Sequence, residues 1–269
     1  MRGVGPISLG MCGALALLLL SIGLPPTAYG EQMARTTEPA SATCDRGAFR
    51  VVVDVGHTAD IPGAISARGV PEYEFNQRLA TLIAQRLTES GFAQTLLLVT
   101  TDPPTRGLFQ RVRHANHLPA HLFLSIHHDS VPTSLLEKWD HNGVDRRFSD
   151  RFKGHSLFIS HGNPERKASL LFATLLGKEL KARGLHYTPH YTEPIMGGRR
   201  RELLDAETGV YRYDQLVVLR DSRMPAVLLE AGSIINRDEE LLMATPERQA
   251  LIAAAVLDAV EIFCARKGQ

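Results

Sequence analysis

FRVVVDVGHTADIPGA, residues 49–64, decides the fold. A β-branched run from Val51 to Val55, broken only by Asp54, ends at Gly56-His57, and the chain turns at Pro62-Gly63. A short continuous apolar run bounded by turn residues reads as a strand buried on both faces of a parallel sheet. It is followed by PEYEFNQRLATLIAQRLTESG (71–91), where Phe75, Leu79, Leu82, Ile83 and Leu87 recur at helical spacing before Gly91. The pair sets a strand-then-helix rhythm that the rest of the chain repeats.

Further strands are expected at 94–100, 121–128, 155–160, 216–222 (LVVLRDS) and 226–232 (AVLLEAG), and helices at 108–118, 165–184 and 246–267. Such alternation predicts a single three-layer α/β domain, a mainly parallel sheet flanked by helices, over residues 48–269. Two long polar segments, near 131–153 and 186–213, interrupt it and read as irregular insertions. Loops of that length usually serve a site. The first insertion holds the sole tryptophan, Trp139, which reads either as a small core under a loop or as an apolar wall for a ligand.

Residues 1–30 differ in kind. Arg2 is the only charge before Glu31, an apolar core runs from Met11 to Leu24, and Ala28 and Gly30 place a small-residue cleavage site before Glu31. The core is short for a bilayer span, so the segment reads as a secretory signal peptide, with an uncleaved anchor as the alternative. The expected location is periplasmic or secreted, with no stable membrane anchor after cleavage. Residues 31–47 read as a flexible leader. Cys44 and Cys264 then lie near the ends of the mature chain, in a compartment where a disulfide is permitted and geometry decides it. Lys and Arg number 30 against 29 Asp and Glu, so no one-signed field points to nucleic acid, and none is expected as a partner.

Ligands of open α/β sheets bind beyond the carboxyl ends of the strands, which places the active site there. His57 follows the first strand, and His127, with His128 and Asp129 beside it, follows LFLSI. Glu230 ends AVLLE, and Glu72 opens the first helix. Two histidines and a carboxylate with an open position form the ligand set of catalytic zinc, and a further carboxylate can act as base. Taken singly, each has a plainer reading: a strand-end histidine, a helix-start charge, a turn carboxylate.

VVVDVGHTADIPGA, GVPEYEFN, LFLSIHHDS and RMPAVLLEAGSIINRDEE together resemble, in order and spacing, the motifs of zinc-dependent N-acetylmuramoyl-L-alanine amidases of the amidase-3 type. The resemblance spans about residues 49–265. It implies hydrolysis of the amide between the lactyl group of N-acetylmuramic acid and L-alanine, in peptidoglycan or muropeptides. It assigns zinc to His57, Glu72 (picked out by Asn76, with Glu74 the runner-up) and His127, the catalytic base to Glu230, and the motif's downstream asparagine to Asn236. Asp54 either orients His57 or fixes the loop backbone, and His128 reads as a solvent-facing or substrate-rim residue. Within the run Arg199-Arg200-Arg201, Arg199 and Arg200 are candidates to meet stem-peptide carboxylates, against a plain solvated face. The resemblance also allows an activator protein and an insertion that restricts the zinc site. Thr58-Ala59 replace a glycine pair common in such motifs, VTTD lacks an arginine often found after the second strand, and His128 and EAGSIIN depart as well. The other readings are a zinc amidase acting on another small amide or peptide, and a non-catalytic wall-binding or regulatory protein on the same fold.

Overall fold

The computed structural model describes residues 44–101 and 104–267. The expected signal peptide and the leader as far as residue 43 lie outside the described residues. Strand β1 (Val51–Val55) is fully buried and is flanked in parallel by β2 (Leu96–Leu98) and β3 (Leu122–Asp129). Strand β9 (Ala226–Ser233) lies parallel to β3 on its other side. Beyond it come β6 (Ser156–Ile159), antiparallel to β9, then β8 (Val210–Arg212) parallel to β6, and β7 (Leu203–Asp205) antiparallel at the edge. The seven-stranded sheet has the order β2-β1-β3-β9-β6-β8-β7.

Alternation along the strands divides the core between two faces. Val51, Val53 and Val55 pack with α1 (Glu72–Glu89), α3 (Arg166–Ala182) and α6 (Pro246–Lys267), through Phe75, Leu79, Phe172, Val256 and Phe263. Val52, Phe123 and Leu228 face α2 (Pro104–His117) and α4 (Val217–Arg220), meeting Val112, Ala115, Val218 and Leu219. Cys44 is bonded to Cys264 of α6 with Cα atoms 5.2 Å apart, and Arg46 pairs with Glu261 at 2.9 Å, so the start of the described chain is fastened to the last helix.

The expected strand at 216–222 is instead the short helix α4. A four-residue apolar run does not distinguish helix from strand by period. Here Val218 and Leu219 are buried against the sheet, while Ser222 Oγ turns back to the Val218 carbonyl at 2.7 Å and stops the helix.

The insertions are also more regular than expected. In the first, β4 (Glu137–His141) and β5 (Val144–Phe148) form an antiparallel hairpin with Asn142 and Gly143 at positive φ. Asn-Gly flanked by pairing strands is a strong hairpin signal. Trp139 is a small packing centre there, its Nε1 donating to the Ala67 carbonyl at 3.0 Å and its ring stacked on His141. The second insertion supplies β7 and β8, and Val210 and Tyr211 are fully buried. A further helix, α5 (Arg237–Met243), follows β9. Among the described residues, no helix is long and apolar enough to cross a membrane.

Candidate metal centre

The loop after β1 brings the first histidine back over the sheet. Arg111 of α2, itself buried, donates to the carbonyls of Val55 and His57 and pairs with Asp54, so one guanidinium clamps both sides of the bend. His57 sits at φ 66°, in the left-handed region that costs a side-chain-bearing residue about 1–2 kcal/mol. Thr58 closes the next turn by itself: its N–H donates to the Ile61 carbonyl at 3.2 Å, and its Oγ1 accepts from the Ile61 N–H at 3.1 Å. A hydroxyl-mediated turn thus takes the place of the glycine pair.

The loop then caps α1 with its own carbonyls, Ala64 accepting from the Glu72 N–H at 2.8 Å and Pro62 from the Tyr73 N–H at 2.9 Å. That sets Glu72 at the helix start, where a negative charge is favoured. Glu72 Oε2 lies 3.1 Å from His57 Nε2, and its Oε1 lies 3.0 Å from His127 Nδ1. The Ala64 N–H, Asn76 Nδ2 and the His128 N–H also donate to this carboxylate, at 3.0, 3.1 and 3.3 Å. Burial works to raise the Glu72 carboxyl, but hydrogen bonds and charge from His127 and His57 override it and hold the group well below the usual range.

One ligand atom from each of His57, Glu72 and His127 lies within 4.8 Å of the others. Two imidazoles and one carboxylate, drawn from three elements, match the donor chemistry of a zinc site with an open position. Two glycines leave room for it. A Cβ on Gly56 would stand 2.4 Å from the His127 ring, and one on Gly63 would stand 2.4 Å from Glu72 Oε2 and 2.7 Å from His57 Nε2. Gly63 is also at φ 81°, where glycine alone is unstrained. Glu74, the runner-up ligand, is exposed and pairs loosely with Arg78 at 3.7 Å.

Glu230 is paired in register with His127 across β3 and β9. Its Oε2 is shut off from solvent and, among the described residues, has no hydrogen-bond partner. Burial, reinforced by the charges of Asp129 and Glu72, pushes its carboxyl well above the usual range, while Arg199 pulls the other way. A carboxyl with raised proton affinity and an unpartnered oxygen, beside a candidate metal-ligand cluster, has the surroundings of an acid–base group.

His128, Asp54 and Asn236 are each placed by their hydrogen-bond partners. His128 is a correction: it points away from solvent, buried against Phe75, with Nδ1 2.8 Å from Asn76 Oδ1. Because Asn76 Nδ2 donates to both Glu72 and the Gly56 carbonyl, its Oδ1 is left to accept from a protonated His128 Nδ1. Burial drops the His128 pKa to about 3, so the ring stays neutral and steadies Glu72 through Asn76. Asp54 touches no atom of the His57 ring in its hydrogen bonds. It accepts from Ser125 Oγ at 2.7 Å and from Arg111, and so holds the loop backbone. Asn236 caps α5, accepting from the Asp238 and Glu239 N–H groups, and donates to the Asp150 carbonyl at 3.0 Å.

Arg199 is exposed at the end of a turn spanning Pro194–Arg199, and its charge is felt by Glu230, Asp129 and His190. Arg200 follows it into solvent. The second insertion is moored beside the ligands by Tyr191, whose hydroxyl donates to Asp129 Oδ1 at 2.7 Å. Burial pushes the Asp129 carboxyl up to about 7, against that hydrogen bond. Arg111, Tyr191 and the partnering of Asp129 were not foreseen. For Arg111 a signal existed, since it shares a helical stripe with Leu108, Val112 and Ala115 and is the charge on an apolar face. A separate cavity of about 520 Å3, between residues 150–155, 184–190 and α5, is lined by none of the three candidate ligands nor by Glu230.

A sheet-end His–Glu–His cluster that could hold a metal ion, with the shielded Oε2 of Glu230 in register beside it, fits an α/β domain of the metal-dependent hydrolase class. Comparison with known proteins narrows the class. Residues 51–262 match the amidase-3 family, described as N-acetylmuramoyl-L-alanine amidase, and the chain belongs to that family. A putative N-acetylmuramoyl-L-alanine amidase of Buchnera aphidicola is 22% identical over 221 residues, 79% of this chain and 95% of that protein. The probable cell wall amidase LytH of Staphylococcus aureus is 24% identical over 213 residues, 79% of this chain, which spans only 57% of that relative's length. Among solved structures, the N-acetylmuramyl-L-alanine amidase Ami1 of Mycobacterium smegmatis shares the fold with a TM-score of 0.61 at 19% identity, covering 82% of this chain and 98% of that one.

Proposed function

We propose that this chain hydrolyses the amide between N-acetylmuramic acid and L-alanine in peptidoglycan, with zinc held by His57, Glu72 and His127 and with Glu230 as the general base. The observation that carries this reading is the convergence of those three donor groups, with the solvent-shielded, partnerless Glu230 Oε2 across the strand pair. When bound, zinc supplies Lewis acidity, polarising the amide carbonyl and acidifying water towards a pKa of about 7.

The chain's own groups do the rest. Glu230 takes a proton from the attacking water at its free oxygen and returns one to the departing alanine nitrogen. A carboxyl whose proton affinity is raised is suited to that exchange, because it accepts and releases a proton closer to neutral pH. His128 and Asn76 steady the Glu72 carboxylate, and Arg111 fixes the His57 backbone. Residues 1–30 act as the export signal that delivers the enzyme to the wall.

The test is a zinc-loaded Glu230→Gln variant assayed on a soluble muropeptide. The reading requires full metal content with kcat lowered by about 100-fold or more, the scale of a lost general base. Unchanged turnover would refute the role of Glu230. Failure of the wild-type chain to bind metal at all would return the non-catalytic reading.

A further inference from the structure

A cavity of about 330 Å3 opens beside the His57 and His127 rings, on the face of the sheet covered by α2 and α4. Its apolar walls are Ile61, Leu108, Leu216 and Val218. Of the polar groups that line it besides the two histidines, Asp54, Ser125 and Arg111 are spent on one another, and the Thr58 hydroxyl accepts from the Ile61 N–H at 3.1 Å. Ser125 and Arg111 donate to Asp54, and the remaining Arg111 contacts go to the Val55 and His57 carbonyls. Among the described residues, a group entering this space meets hydrocarbon, the Thr58 hydroxyl and a neutralised ion pair, with no unpaired charge to answer its own. Ile61 and Leu108 are 41% and 39% exposed, so the apolar lining continues to the mouth.

The other flank of the ligand cluster is electrically different. There the positive charge of Arg199 reaches Glu230, Asp129 and His190. The cleft therefore has an uncharged apolar end and a cationic end. The amide assigned above is divided in the same way. Its amine half is a peptide bearing carboxylates. Its acyl half carries a lactyl methyl and an acetamido methyl, and no charge once the lactyl carboxyl is tied up in the amide.

We propose that the cavity walled by Ile61, Leu108, Leu216 and Val218 is the acyl-side subsite, and that it admits small uncharged acyl groups while refusing charged ones. This rests on the amidase reading and gives that site a polarity, acyl half towards α2 and α4, peptide half towards the second insertion. Size agrees with it. A cavity of about 150 Å3 holds a benzene ring, and this one is roughly twice as large, room for the lactyl and acetamido groups together. It also extends the activity: N-acyl-L-alanyl peptides with short neutral acyl chains become substrates without any sugar.

The experiment fixes the amine half as L-alanyl-D-isoglutamine and varies the acyl half among N-acetylmuramoyl, acetyl, butanoyl and succinyl, with zinc-loaded wild-type protein. Butanoyl is expected to exceed succinyl, of equal chain length, by about tenfold or more in kcat/KM. Leu108→Asp, which puts a carboxylate at the cavity mouth, is expected to lower kcat/KM for the muramoyl substrate about tenfold further than for the acetyl one. As a readout independent of turnover, the methylamide of N-acetylmuramic acid is titrated into methyl-labelled Glu230→Gln protein. Methyl signals of Ile61, Leu108, Leu216 and Val218 are expected to shift. Equal handling of butanoyl and succinyl, or stationary methyl signals, with the muramoyl substrate still cleaved, would overturn the subsite and leave the amidase reading standing. Cleavage of none of the four would overturn both.

Discussion

Gly63→Ala isolates how tightly the backbone is built around the metal centre. A Cβ there meets Glu72 Oε2 at 2.4 Å and the His57 ring at 2.6 and 2.7 Å, well inside van der Waals contact. Both contacts fall on proposed ligands, so the methyl group is accommodated only by moving a donor away from the cluster. The substitution also places a side chain at φ 81°, which adds about 1–2 kcal/mol of backbone strain. For a domain of this size that strain lowers Tm by roughly 2–8 °C. Metal affinity is expected to suffer more, because losing even a supporting contact to a ligand typically costs about 10–100-fold, and here a ligand itself is displaced. Gly56→Ala is the matched control. Its Cβ crowds the His127 ring at 2.4 Å, but its φ is an ordinary one, so it carries the clash without the left-handed strain. Competition with a chromophoric chelator gives the zinc affinity, and thermal unfolding of the metal-free proteins gives the stability. Both variants should lose about 100-fold or more in affinity, with Gly63→Ala the less stable of the two. Wild-type affinity in both would refute the placement of the metal.

Arg111→Met strands the buried Asp54 carboxylate and should cost about 3–5 kcal/mol in urea unfolding, with part of the loss recovered in an Arg111→Met/Asp54→Leu double variant. Full additivity of the two changes would contradict the clamp. Burial drops the His155 pKa from 6.5 to about 4, so the folded ring stays neutral where the unfolded one takes a proton. Stability from this site is therefore level above pH 6.5 and falls as pH drops from 6.5 towards 4, by roughly 3 kcal/mol in all. His155→Leu should flatten that part of the pH–stability curve, and an unchanged slope would assign it elsewhere. The Cys44–Cys264 bond closes a loop of 220 residues, and its reduction should destabilise the chain by up to about 5 kcal/mol of lost chain restraint, read as a lower Tm in reductant.

The site was more legible in the sequence than its supports. His57 and Glu72 stand just past a strand and at a helix start, and His127 and Glu230 fall within the last four residues of β3 and β9. Each is a polar residue interrupting an apolar pattern, and the structure brings them together at the carboxyl ends of the strands. What holds them comes from distant segments and has no local period. Arg111 reaches the β1 loop from α2, Asn76 and His128 meet between α1 and β3, and Tyr191 reaches Asp129 from the second insertion. His128 was misplaced because alternation tells which face of a strand a residue occupies, and not whether that face is covered by a helix. The β4–β5 hairpin escaped notice because its strands are largely exposed and lack an apolar stripe, even though Asn142-Gly143 marks its turn. The helix at Val217–Arg220 reads as a strand in the sequence because four apolar residues, Leu216 to Leu219, are too few to show a period.

The most direct measurement is digestion of purified sacculi by the zinc-loaded chain, with the released products sequenced by mass spectrometry. Free stem peptides whose new amino terminus is L-alanine are expected, with glycan strands left intact and release abolished by chelation and by Glu230→Gln. Products that retain the muramoyl–alanine bond, or release that persists in the Glu230→Gln protein, would contradict the amidase reading.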